Sequence, residues 1–297
     1  MKKQNLIKGY IFIIASGIIY GCMPLGAKLI YADGVTPLSL VLLRNLLATP
    51  FLALITVLQG HNLKTDLQSL GRVSLLALAG CATTPILLFS SYTFMDSGTA
   101  SVFHFIYPAV VTLGSFLFLR QKVRTANLFC VLLCTVGLFM FFEPGSKIDP
   151  IGATLALSSG VTYAAYVLIL SAFRPKNLSG FKLNFYITAL ASLILFPICL
   201  LTKQLVFPVT LTGWLIMIAF SLSISLGALF LFQVGTAYIG GQRAAILSTT
   251  EPVTGFIVGI LVFHEKPLLF AIIGSVLVLS SSVLIAIFDA QKNKTDR

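Results

Sequence analysis

Ten times along this chain an apolar run long enough to cross a hydrocarbon layer is followed by a gap of only a few residues. A spanning helix needs about 20 largely apolar residues. The runs lie near 9–31, 36–58, 71–94, 99–119, 125–142, 151–173, 181–202, 212–237, 243–263 and 267–288. Turn and breaker residues fill the gaps: Asp33-Gly34, Gly60-His61-Asn62, Asp96-Ser97-Gly98, Pro144-Gly145, Arg174-Pro175 and Gly240-Gly241. No gap can house a second domain. Lipid offers no partner for backbone N–H and C=O groups, so such runs must close their hydrogen bonds internally, as helices. The expected fold is an all-α integral membrane protein. With 57% hydrophobic and 10% charged residues, the chain is neither a soluble enzyme, a disordered segment nor a single-pass receptor.

The net charge of +11 would suggest nucleic acid in a soluble protein. Here the charges sit between the spans and report orientation instead. With the amino terminus inside, fifteen Lys and Arg fall in inner segments, among them Lys2, Lys3, Lys64, Arg120, Arg174 and Arg243, and three (Lys147, Lys203, Lys266) fall outside. That bias, with an even number of crossings, places both termini on the cytoplasmic side of the cell membrane. The start Met1-Lys2-Lys3 resembles a signal peptide, but its apolar stretch is too long and no small-x-small cleavage site follows. The cysteines Cys22, Cys81, Cys130, Cys134 and Cys199 lie in apolar runs and read as buried packing, with no disulfide framework.

The halves, residues 1–143 and 144–297, resemble one another. Ser16-Gly17-x-x-Tyr20 matches Ser159-Gly160-x-x-Tyr163. Tyr107-Pro108, running to Gln121-Lys122, matches Glu251-Pro252, running to Glu265-Lys266. Each half holds five spans, an odd number, so the second enters the membrane from the opposite side. The gap after the fourth span carries Arg120, Lys122 and Arg124, whereas its counterpart, His264, Glu265 and Lys266, is nearly neutral. Two inverted five-helix repeats predict a site at their interface near the midplane, and two related states open to opposite sides.

These features resemble the drug/metabolite transporter superfamily, in its ten-helix EamA-type branch. The carriers of the resemblance are the paired five-helix halves, the pattern at Ser16, Gly17, Tyr20 and Gly21, the proline-led fourth and ninth helices, Glu251-Pro252-Val253 and His264-Glu265-Lys266. Gln121 stands where the family often has Glu, and Cys130 corresponds to Gly274 of the second half. The resemblance implies transport of a small metabolite, often export of amino acids or related compounds.

An ionisable residue inside a span is costly and marks a functional candidate. Glu251 is the one acid well inside a predicted span, and Pro252 beside it frees a backbone carbonyl. It is the candidate for a cationic substrate group or for proton coupling; a structural acid capping backbone or pairing with Arg243 is the alternative. His104 and Tyr107 share a face of the fourth helix, as Ser248 and Glu251 share one of the ninth. The two faces are expected to meet. Tyr20, Tyr163 and Tyr92 are candidates for cation–π contact with an ammonium, against ordinary packing. Gln233 needs a partner, in the substrate or on a neighbouring helix. Arg44 and Lys28 read as snorkelling cations, with an anion-binding role for Arg44 the other reading. Asp96 reads as a helix cap. Gly17-x-x-x-Gly21 and Gly255-x-x-x-Gly259 read as packing within the bundle, with a homodimer face as the alternative.

The expected function is a secondary carrier of a small polar metabolite, of the amino acid or organic amine class, acting by alternating access between helices 1, 3, 4, 6, 8 and 9. An intramembrane enzyme or a channel-like facilitator is the alternative. No His-Glu-x-x-His, paired-Asp or Gly-x-Ser-x-Gly pattern supports an enzyme. No phosphate loop supports ATP drive, and no metal or cofactor is expected.

Overall fold

A computed structural model describes residues 3–95, 97–121, 125–140, 148–173, 178–263 and 269–295. Asp96, Lys122, Arg124, Pro144-Gly145, Lys147, Arg174-Pro175, Lys176 and His264-Glu265-Lys266 lie outside the described residues. Eight helical stretches are long and apolar enough to span a membrane: α1 (Gln4–Ala32), α2 (Pro37–Leu58), α3 (Leu67–Ser91), α4 (Ser97–Leu117), α6 (Pro150–Ala172), α7 (Gly180–Leu201), α8 (Leu211–Ile239) and α9 (Gly241–Val262). At the fifth and tenth expected positions stand shorter apolar helices, α5 (Thr125–Phe139) and α10 (Leu269–Ile285). The helix of α10 continues to Thr295. Eight of the ten expected spans thus reach spanning length within the described residues.

Helix starts follow side-chain capping, because the first N–H groups of a helix have no intrahelical acceptor. Thr36 Oγ1 accepts from Ser39 N at 3.2 Å and opens α2, and Ser179 Oγ accepts from Lys182 N at 3.4 Å and opens α7. Asp66 Oδ2 accepts from Ser69 N at 2.8 Å and opens α3, and Thr210 Oγ1 accepts from Gly213 N at 2.9 Å and opens α8. The caps therefore recur in pairs, Thr36 with Ser179 and Asp66 with Thr210.

Irregularities recur too. In α3 a π-helical segment occupies Ala77–Thr83, and in α8 another occupies Ser223–Ala228. Each π turn disturbs the regular carbonyl ladder, and each is met by an asparagine. Asn45 Nδ2 donates to Cys81 O at 3.1 Å, and Asn184 Nδ2 donates to Ser225 O at 3.0 Å. The α4 helix breaks at Phe105–Ile106 before Tyr107-Pro108, and α9 breaks at Ser248–Thr249 before Glu251-Pro252. Proline lacks the N–H that would bond the carbonyl one turn back. Pro24 likewise accompanies a break at Cys22 in α1, whereas Pro50 and Pro197 sit inside the unbroken helices of α2 and α7.

The packing has a matching symmetry. The main partners are α2 with α7, α5 with α10, α1 with α8, α6 with α3, α1 with α9 and α6 with α4. Advancing every helix by five places maps this set onto itself. Helices α2 and α7 run antiparallel, because each start meets the other's end. Thr36 Oγ1 donates to Gln204 O at 2.9 Å and Ser39 Oγ also donates to Gln204 O, while Lys182 Nζ donates to Lys64 O at 2.6 Å and Tyr186 donates to Leu63 O.

Two glycines set how closely the broken helices are approached. A Cβ on Gly17 of α1 would lie 2.2 Å from Thr250 Oγ1 of α9. A Cβ on Gly160 of α6 would lie 2.4 Å from the carbonyl oxygen of His104 in α4, the oxygen that Pro108 leaves without its helical donor. The Gly17 and Gly21 face thus packs on α9 inside the bundle, with Gly255 against the carbonyl of Gly21. Cys81, Cys130, Cys134 and Cys199 are buried, but Cys22, expected to be buried, is exposed at the break in α1.

Candidate substrate cavity

The breaks and π segments converge on one partly open cavity. Its walls come from α1 (Tyr20, Met23), α3 (Gly80, Cys81, Thr84, Pro85, Leu88), α4 (His104), α6 (Tyr163, Tyr166), α8 (Ile224, Ser225, Leu229) and α9 (Glu251). These are the six helices expected from the sequence. A seventh, α2, adds Arg44.

Glu251 stands in the first turn of the helix that restarts after the break in α9. Its own N–H turns back to Ser248 O at 3.0 Å, taking the carbonyl that Pro252 cannot serve. The positive end of the restarted helix faces its carboxylate, a favourable arrangement for an anion. On α4, Tyr107 holds the equivalent first-turn place. Its side chain is fully buried, with its hydroxyl close to the Ser248 hydroxyl and in the field of Glu251. The two helix faces therefore meet as the sequence pattern predicts, yet Tyr107 and Ser248 stand behind the cavity surface and Ser248 gives its hydroxyl to Ala244 O at 2.8 Å.

His104 lines the cavity and lies 2.7 Å, Nδ1 to Oγ, from Ser159 of α6. Ser159 spends its own proton on Ala156 O at 2.6 Å. His104 Nδ1 must therefore be the donor, which leaves Nε2 of the neutral ring as an acceptor. Tyr163 is the hub of an aromatic wall: its ring centroid lies 4.8 Å from Tyr107 edge-on, 5.6 Å from His104 and 5.7 Å from Tyr166. Gln233 does not reach the cavity; its Nε2 donates to the Tyr166 hydroxyl at 3.2 Å and steadies that ring from behind. Tyr92 also stays off the surface, at the end of α3 with its ring edge-on to Phe89 at 5.8 Å.

Arg44 departs from its expected place. Instead of snorkelling to an interface it is only 5% exposed and lines the cavity, with Nε buried and, among the described residues, without a hydrogen-bond partner. Its position follows from the packing of α2 on α7 and α8, where Ser221 Oγ donates to Arg44 O at 2.6 Å. Lys28 is exposed. The sequence reading missed Tyr166, Asn45 and Asn184. The asparagines had a signal, a lone amide inside an apolar span, which needs a partner in lipid.

A bundle whose described residues are helical, with spanning apolar helices and a cavity holding an acid, an arginine and a histidine, is an integral membrane protein built to handle small molecules within the bilayer. The EamA-like transporter family model matches residues 7–142 and 150–287, and the chain belongs to that family. An uncharacterized transporter of Clostridium kluyveri is 24% identical over 93% of this chain and 92% of its own length. The uncharacterized transporter YcbK of Bacillus subtilis is 26% identical over 92% of this chain and 91% of its own. The pseudopaline exporter CntI of Pseudomonas aeruginosa is 26% identical over 63% of this chain and 65% of its own. A solved crystal structure superimposes with a TM-score of 0.77 at 14% identity, covering 95% of this chain and 98% of that one, which shows a shared fold. The protein is a multi-pass membrane transporter rather than an enzyme.

Proposed function

We propose that this transporter is a secondary carrier of a small polar metabolite, of the amino acid or organic amine class, that works by alternating access with Glu251 as the group that exchanges substrate charge or a proton. The observation that carries the reading is Glu251 itself, an acid placed at the break of α9 and facing a cavity enclosed by helices of both halves. The aromatic wall around Tyr163 suits a cationic group. Residues 1–143 and 144–297 act as inverted repeats. The recurring caps, π segments and proline breaks support this, as do the antiparallel pairing of α2 with α7 and the family match over two stretches. Rocking one repeat against the other would open the cavity to each side in turn. The carrier sits in the cell membrane with both termini cytoplasmic, as monomer or homodimer, and runs as an exporter; the likeness to a pseudopaline exporter supports that direction.

The test is flux in proteoliposomes holding the purified chain. An imposed pH gradient should drive accumulation of a labelled amino acid or amine, with saturation and counter-exchange. Full, pH-independent flux in Glu251→Gln would remove the coupling role. Flux without saturation or exchange would make the protein a channel.

A further inference from the structure

Arg44 has no task in proton exchange at Glu251, yet it occupies the same cavity. An arginine in a membrane span is expensive and persists where it faces a polar interior. Its backbone is locked by Ser221, its side chain is almost wholly withdrawn from solvent, and its Nε lacks a partner among the described residues. Among the described residues no hydrogen bond or ion pair joins Arg44 to Glu251. Tyr20 stands in the field of both charges, so the two are poles of one space rather than separate sites. The remaining polar walls are unequal. His104 lines the same cavity as Glu251 and keeps Nε2 as an acceptor, since its Nδ1 proton is committed to Ser159. The first turn of the restarted α9 already carries the acidic Glu251. Among the cavity-lining residues that leaves the guanidinium of Arg44 as the cation for a substrate anion, and its planar fork matches a carboxylate.

We propose that Arg44 is the specificity-determining residue of the cavity: it binds the carboxylate of a zwitterionic substrate whose ammonium is held by Glu251 and His104, so the carrier takes amino acids and discriminates against the corresponding simple amines. This rests on the carrier reading above and narrows its substrate class.

The experiment uses the full-length protein in lipid nanodiscs and reads ligand-induced thermal stabilisation. The probes are the twenty common L-amino acids and, for every binder, its decarboxylated amine and its methyl ester. The wild type should bind the amino acid about tenfold or more tightly than the amine or ester. Arg44→Gln should bring amino acid and amine to within about twofold of one another, Arg44→Lys should restore part of the preference, and Glu251→Gln should weaken both ligands. The inference is overturned if the wild type binds an amine as well as its amino acid, if Arg44→Gln keeps the preference, or if none of the twenty stabilises the wild type. Should Arg44→Gln not fold, the wild-type comparison of acid, amine and ester decides alone. An amine carried in a pH- and Glu251-dependent way regardless of Arg44 would sink this inference and leave the carrier reading standing.

Discussion

The broken helices α4 and α9 share a backbone plan and differ in chemistry. Both break two or three residues before a proline, both restart with a side chain in the first turn facing the other half, and both are approached at close range by a glycine, Gly160 on α4 and Gly17 on α9. At the equivalent first-turn place one carries a phenol, Tyr107, and the other a carboxylate, Glu251. One turn earlier stand an imidazole that lines the cavity and a hydroxyl that does not. The backbone plan recurs, while the side chains at matching places differ. The largest expected effect breaks this inequality. Glu251→Gln should cut gradient-driven flux about ten- to a hundredfold, the scale of losing hydrogen bonds to a charged group. Tyr107→Phe should cost no more than about fivefold, because its hydroxyl lies behind the cavity surface and loses only a neutral contact with Ser248. Equal losses in the two variants, measured as initial flux in proteoliposomes, would mean that both places serve the substrate alike.

The glycine pair gives the next contrast. At Gly160 an added methyl meets a backbone oxygen at 2.4 Å, which cannot swing aside. At Gly17 it meets the Thr250 hydroxyl at 2.2 Å, the end of a side chain that can rotate. Gly160→Ala should therefore destabilise by roughly 3 kcal/mol and Gly17→Ala by roughly 1 kcal/mol, the two ends of the overpacking range. Thermal unfolding in detergent checks the order. A larger cost at Gly17 would show that α1 against α9, not α6 against α4, is the tighter seam.

Much of this was legible because lipid leaves a chain few choices. Unpaired backbone is excluded, so apolar runs of spanning length must be helices, and breakers between them must be turns. The glycine-tyrosine and proline motifs located the broken helices and the acid at their meeting point. The π segments were not legible, since one extra residue in a turn barely alters a uniformly apolar run. Arg44 was misread for a related reason. Its depth in α2 fits either an interface or a cavity, and only the packing of α7 and α8 around α2 turns it inward. Tyr107 and Ser248 were placed on the right faces, but a face is broader than a cavity wall, and the Tyr163 and His104 rings stand in front of Tyr107.

Where the halves match in side chains as well as backbone, equal effects are expected. Asn45 and Asn184 each donate to the carbonyl of a π-segment residue that lines the cavity, Cys81 and Ser225. Asn45→Ala and Asn184→Ala should each cost about 0.6–1.7 kcal/mol, the span measured for side-chain hydrogen bonds within membrane helices. The double variant should depart from the sum, because Thr49 and Thr188 link Asn45 O to Asn184 O across α2 and α7. Chemical denaturation of single and double variants measures it. Unequal single costs would place the two π segments under different loads and weaken the parallel between α3 and α8.

The smallest effect concerns the two ends of the α2–α7 pair. At one end Asp33 Oδ2 accepts from Val209 N at 2.8 Å and Thr210 N at 3.1 Å, fastening the α1–α2 turn to the α7–α8 turn. The opposite end is fastened by carbonyl acceptors, Leu63 and Lys64, which do not titrate. The bonds from Thr210, then Val209, hold the Asp33 carboxyl below its ordinary value of 3.8. A carboxylate with a depressed folded value contributes stability that is fully present above the unfolded value and fades as pH falls through the folded one. The fastening at Asp33 should thus be intact at neutral pH and loosen only in acid below about 4, with a small effect because the group is solvent-exposed. Amide exchange at Val209 and Thr210 should show it, accelerating relative to Asp33→Asn between pH 5 and 3 after correction for intrinsic rates. Matching acceleration at the Lys64 end would instead point to a general loosening of both ends.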